Sequence, residues 1–207
     1  MLGMVVALAI VCSAGAAKAD TIFNLDVDHC TGGCAPSGTI FGTVTLAQNG
    51  TTVDVTVDLA DGFGYANTGA VDSQAFKFNA TGVALSDITV NQNNPGETLA
   101  PQTGSFNGNG TGSFAFGIAC TTCGTGLSDT FTTNIIFHVA NATIADLTAP
   151  NAGGFVFVSD VGNLSTGVTG PIAATTGTPV PEPTSLLLLG TGLFGSATAY
   201  SRKKSSK

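Results

Sequence analysis

Four cysteines, two histidines and a set of scattered carboxylates are the side chains between the two ends of this chain that could carry chemistry. Cys30 and Cys34 stand in "DHCTGGCAP", and Cys120 and Cys123 in "ACTTCGTG". Cysteine pairs so spaced suit three chemistries. Four thiolates could hold zinc tetrahedrally, with His29 as a spare ligand. Cys120-Thr121-Thr122-Cys123 has the spacing of a thiol–disulfide exchange motif, whose reactive thiol sits at a helix N-terminus in a βαβ setting that this sequence lacks. An even count in an exported chain favours the third, structural disulfides, and the oxidising compartment disfavours zinc thiolates. Three connectivities remain open. Two local rings would each contribute about 2 kcal/mol and a bridge between the pairs about 4.6 kcal/mol, and the glycines beside both pairs favour local rings.

The other candidates offer less. His29 and His138 are the only histidines, and His138 lies in an apolar run where a core or edge histidine is commoner than a general base. No G-x-S-x-G elbow supplies a nucleophile. Asp26/Asp28 and Asp54/Asp58 have the spacing of carboxylates on a solvated strand face. No catalytic residue, metal site or cofactor is assigned. Twelve carboxylates lie between Asp20 and Asp160, where Lys77 is the sole lysine or arginine. Such a surface repels phosphate backbones and excludes nucleic acid as a partner. No EF-hand ladder of aspartates is present to make the charge a calcium site.

The elements around these residues read as strands. In "TIFGTVTLAQNGTTVDVTVDL", Asn49-Gly50 is a type I′ hairpin signal. A two-residue turn there sets Leu46 opposite Val53, Val44 opposite Val55 and Ile40 opposite Leu59. Asp54, Thr56, Asp58, Thr43 and Thr45 then fall on the other face. Further strands are expected in Ala75 to Phe78, Asp87 to Val90, Ser113 to Cys120, Thr130 to Ala140 and Gly154 to Ser159. Phe114, Phe116 and Ile118 are expected to share one face, and Phe131, Ile135, Phe137 and Val139 another. A helical turn is expected near Ala140 to Leu147. Asn91 to Gly104 reads as a long exposed loop. The fold class is all-β, an antiparallel β-sandwich over residues 20–165 with a phenylalanine core, followed by a Thr/Gly/Pro-rich stalk over 166–180.

Both ends point to a membrane. Val5 to Val11 is a short apolar run, and Ala17-Lys18-Ala19 gives a small-x-small cleavage pattern before Asp20, so residues 1–19 read as a signal peptide cut between Ala19 and Asp20. At the other end, residues 184–200 carry no charge and include the leucine run Leu186 to Leu189. As a helix they would span roughly 25 Å, near the ~30 Å hydrocarbon core, and they read as a transmembrane helix. Arg202, Lys203 and Lys204 follow, and a basic cluster marks the cytoplasmic side.

Pro181-Glu182-Pro183, then the apolar span, then the basic tail resemble the PEP-CTERM sorting signal over residues 181–207. That resemblance implies a Gram-negative exported protein, anchored in the inner membrane as a precursor and cut by a membrane-embedded exosortase. It also implies release or attachment at the cell surface among extracellular polysaccharide. "GGFVFVSDVGNLSTGVTG" is similar to a stretch found in small PEP-CTERM proteins. Physically, the two prolines keep the approach to the span extended. The expected function is therefore that of a non-enzymatic surface or matrix protein. The alternative is a secreted module or enzyme that binds carbohydrate or metal. For a sugar platform, which generally uses Trp or Tyr, the body offers only Tyr65.

Overall fold

Short runs of β-branched and aromatic residues, broken by Gly, Asn and Pro, fold into strands throughout the body. The structure is a computed structural model that describes residues 20–68, 73–175 and 177–179. The expected signal peptide (1–19) and transmembrane helix (184–200) lie outside the described residues. Among the described residues no helix is long and apolar enough to cross a membrane.

Two antiparallel sheets result. The first comprises β1 (Thr21–Leu25), β3 (Gly42–Asn49), β4 (Thr52–Leu59), β7 (Ile88–Val90), β11 (Ile135–Ala140) and β14 (Thr178–Pro179), in the order β14-β1-β3-β4-β11-β7. The second runs β10 (Gly126–Phe131), β5 (Phe63–Asn67), β12 (Phe157–Asn163), β6 (Gln74–Phe78), β9 (Gly112–Cys120), β8 (Leu99–Gly108). In it β13 (Thr169–Ala174) pairs with both β12 and β2 (Val27–Asp28). The expected helical turn is present as α1, Ile144–Leu147, with Leu147 buried.

The sheets meet through aromatic rings. Phe76 of the second sheet lies 5.9 Å from Phe137 of the first, and Phe78 lies 5.1 Å from it. Phe23 of β1 meets Phe157 of β12 edge-on at 4.9 Å, an arrangement the ring quadrupoles favour. One polar tie crosses the same gap, where the Tyr65 hydroxyl donates to the Val57 carbonyl at 2.8 Å. Burial, above all, pushes the Tyr65 phenol far above its usual range. At 1 % exposure Tyr65 is a core residue and is not available to stack on a sugar.

The hairpin forms in a different register. Leu46 pairs with Val55, Val44 with Val57 and Gly42 with Leu59, and the turn residues are Gly50 and Thr51. Gly50 alone of these takes a positive φ, 61°, as a type II′ turn requires at its first position. The ladder thus slips by two residues from the expected Leu46–Val53 pairing. An even slip preserves the faces, so Val44, Leu46, Val53, Val55 and Val57 are all buried. Ile40 precedes the strand and is exposed.

Two other segments differ from expectation. Of the expected loop from Asn91 to Gly104, residues from Leu99 onward belong to β8, paired with β9. As an edge strand, β8 tolerates Pro101 and is largely solvated, which removes the alternation that would reveal it. The expected stalk over 166–180 is largely sheet. Thr169–Ala174 pairs residue by residue with β12, and Ile172, Ala173 and Ala174 are fully buried. Small residues there permit close packing. A Cβ at Gly170 would come within 2.6 Å of the Cys30 Cα.

Two expected faces divide as well. Phe116 and Ile118 join the main core, whereas Phe114 packs with Val158 and Ala173 in a separate cluster. The β8–β9 ladder changes register between Thr103 and Phe106, opposite this point. Phe131 lies in the second sheet and Ile135, Phe137 and Val139 in the first, because the chain crosses between sheets after Phe131.

Phe137→Ala should destabilise the body by about 3–5 kcal/mol in urea unfolding, because Phe137 contacts rings from the opposite sheet. Ile40→Ser should change stability by less than about 0.5 kcal/mol.

Candidate functional site

Cys30 bonds to Cys34 and Cys120 to Cys123, each with a Cα–Cα separation of 5.4 Å. The first ring is built around Asp28. Its Oδ1 accepts the Cys30 N–H at 2.8 Å, and its Oδ2 accepts the Cys34 N–H at 2.7 Å. The Asn163 side-chain amide donates to the Cys34 carbonyl at 2.8 Å, tying the ring to the end of β12. Asp28, Cys30 and Cys34 place donor atoms within 4.8 Å of one another. Both sulfurs are engaged in the disulfide, however, and the carboxylate is engaged by backbone N–H groups. Asp28 is therefore a structural clamp rather than one of a pair of solvated carboxylates with Asp26.

The second ring closes the end of β9. Cys123 donates its N–H to the Cys120 Sγ at 3.1 Å. Beside it the Thr121 N–H donates to the Thr98 carbonyl at 2.8 Å. No helix begins there, so the helix N-terminus that would activate a redox thiol is missing. The adjoining cavity, lined by Tyr65, Phe131 and both cysteines, measures about 10 Å³, room for one water at most.

His138 is not a core residue. It stands on the outer face of the first sheet, with its Nδ1 2.6 Å from Asp54 Oδ1, both side chains about one-third exposed. The pair is directly cross-strand, Asp54 on β4 and His138 on β11. This is the orienting half of a general-base arrangement. Among the described residues no hydroxyl is hydrogen-bonded to its Nε2.

Sequence reasoning missed the most buried charges. Lys77 Nζ meets Asp160 Oδ1 at 2.8 Å, with side chains 0 % and 2 % exposed. Thr68 donates its hydroxyl to the other carboxylate oxygen at 2.6 Å. The available signal was a lysine inside "AFKF" and an aspartate inside "VFVSDV", each a charge within an otherwise apolar strand. The only lysine or arginine of the body is thereby withdrawn from its surface.

The chain leaves this body at one sheet edge. β14 pairs antiparallel with β1, Thr21 opposite Pro179 and Ile22 opposite Thr178. Asp20, the expected first residue after signal removal, is exposed beside that pair. The body is thus a disulfide-bonded, mostly β-sheet unit, Asp20–Pro181, whose last described strand is β14.

Residues 179–204 match the family model of the PEP-CTERM protein-sorting motif, which is consistent with the resemblance read from the C-terminal segment. The match contains Pro181, Glu182, Pro183, Arg202, Lys203 and Lys204, which lie outside the described residues. No curated protein and no solved structure matches the chain significantly.

Thiol counting on the denatured, unreduced exported protein should find no free thiol. Under graded reduction the partly exposed Cys120–Cys123 ring should open before the Asp28-clamped ring. Replacing Cys30 and Cys34 together by serine should cost about 2 kcal/mol. Lys77→Met, which leaves the buried Asp160 without its lysine, should cost about 3–5 kcal/mol in the same unfolding measurement.

Proposed function

We propose that this is a non-enzymatic exported protein, sorted to the cell surface or extracellular matrix by an exosortase and resident there among extracellular polysaccharide. The observation that carries the reading is the match of residues 179–204 to the PEP-CTERM motif. In this reading a signal peptide ending at Ala19 starts export. The segment 184–200 holds the precursor in the inner membrane, and Arg202, Lys203 and Lys204 fix its orientation. Pro181-Glu182-Pro183 keeps the recognised stretch extended, because proline fixes φ and restricts the residue before it. Two disulfides suit an oxidising destination. The polysaccharide association rests on the motif alone.

In a host carrying an exosortase, the extracellular form should lack Leu186 to Lys207 by intact mass. Replacing Pro181, Glu182 and Pro183 by alanine should leave membrane insertion intact and stop that loss. Retention of the whole tail by the wild-type chain in such a host would make the segment a permanent anchor and overturn the sorting reading.

A further inference from the structure

The sole lysine of the body stands beside a carboxyl group in a place that excludes water. Lys77 on β6 is paired with Val158 on β12, so the register sets it diagonal to Asp160, two residues further along β12 and on the same face. Strand alternation makes that face the opposite of the one carrying Phe76 and Phe78. Val158 packs with Phe114 and Ala173 in a small apolar cluster there. Lys77 Nζ lies 2.8 Å from Asp160 Oδ1, with the two side chains 0 % and 2 % exposed. It also donates to the Gln74 carbonyl at 3.4 Å. The other carboxylate oxygen, Oδ2, accepts the Thr68 hydroxyl at 2.6 Å. Buried Ser159 donates its hydroxyl to the Ala75 carbonyl at 2.9 Å, a further tie between the same two strands. A nitrogen hydrogen-bonded to one carboxylate oxygen stands about 3–3.5 Å from the carboxyl carbon, the separation of a near-attack geometry.

We propose that Lys77 and Asp160 condense to an isopeptide bond joining β6 to β12, and that the 2.8 Å pair is its unreacted state. Nζ passes one proton to Oδ1 along their hydrogen bond and attacks Cγ. Negative charge gathers on Oδ2, where Thr68 already donates its hydroxyl, so Thr68 is the oxyanion donor. As the tetrahedral intermediate collapses, Nζ gives a second proton to Oδ1 and the Cγ–Oδ1 bond breaks. One C–N bond replaces one C–O bond, a water leaves, and no other reactant is consumed. Between free groups in water, hydrolysis opposes this step. Groups held in fixed contact instead have effective molarities of about 10⁵–10⁸ M, and burial keeps water from the finished amide. The product is also better suited to its site, because a buried ion pair holds two charges away from water and an amide holds none. The bond would span a sequence separation of 83. Unlike Cys30–Cys34 and Cys120–Cys123, it would survive a reductant. It involves residues of the body alone and does not depend on the sorting reading.

Trypsin reads this bond directly, because Lys77 is the sole lysine or arginine between Asp20 and Pro181. The full chain is expressed and exported, then reduced, alkylated, denatured and digested. An unreacted body is cut after Lys77 into two pieces, whereas a body whose lysine is acylated stays whole. The wild type should stay whole and be lighter by one water than its sequence requires. Tandem mass spectrometry of a chymotryptic digest should find a branched peptide joining residues 77 and 160. That mapping separates the bond from loss of water by succinimide formation at Asp61-Gly62. Asp160→Ala should be cut after Lys77 whether or not it folds. Thr68→Val should form both native disulfides and should slow conversion of newly made chain to the uncut form by about 100-fold. Wild type cut quantitatively after Lys77, at its full mass, overturns the inference and leaves a buried ion pair. A Lys77 that stays blocked in Asp160→Ala also overturns it. Condensation of Thr68→Val at the wild-type rate overturns the role given to Thr68.

Discussion

Everything in the body depends on ring packing between two sheets that lack tryptophan. Phe76 touches Phe78 and Phe157 within its own sheet and Phe137 across the gap, and Phe23 reaches Phe157 from β1. Rings are rigid, carry much apolar area and have few rotamers, so they establish which face of each strand points inward at low entropic cost. Tyr65 adds a single directional bond to this otherwise non-directional layer, from β5 to a carbonyl on β4. Once those faces are set, the outer surfaces can carry threonine, aspartate and glycine with little constraint. That freedom accounts for the polar, low-complexity look of the sequence.

The same physics determines what could be read in advance. The inward face of the β3–β4 hairpin was legible because valines and a leucine alternate with polar residues, and any even slip keeps them inside. The register itself was not, because Asn49-Gly50 and Gly50-Thr51 are both acceptable two-residue turns and differ by one position on each arm. Strands β8 and β13 escaped notice for opposite reasons. β8 is solvated along most of its length and so lacks a pattern. β13 is buried but built from Gly, Pro and Ala, residues that usually punctuate loops. Local disulfides were favoured by the neighbouring glycines. The clamp on Cys30 and Cys34 was hidden in Asp28, which looked like one of several solvated carboxylates until its oxygens met the ring's N–H groups.

The sorting motif was legible because its information is linear: prolines, an apolar run and a basic cluster in fixed order. What a linear reading lacks is the place where that order attaches to the fold. A Thr/Gly/Pro-rich stretch suggests a flexible tether by composition, yet β12 and β2 supply partners for β13, and β1 supplies one for β14. Partners far away in sequence convert a tether into sheet. Composition cannot report them.

Burial of Lys77 beside Asp160 has a consequence beyond stability. A body with twelve carboxylates, whose sole lysine is internal, faces its surroundings with charge of one sign. Copies of such a body push each other apart over a distance set by the surrounding electrolyte, about 30 Å at 0.01 M and about 8 Å at 0.15 M. Crowded into a hydrated gel, they would draw in mobile counterions and, with them, water. The swelling of such a layer would then follow the salinity outside the cell, with no moving part in the protein.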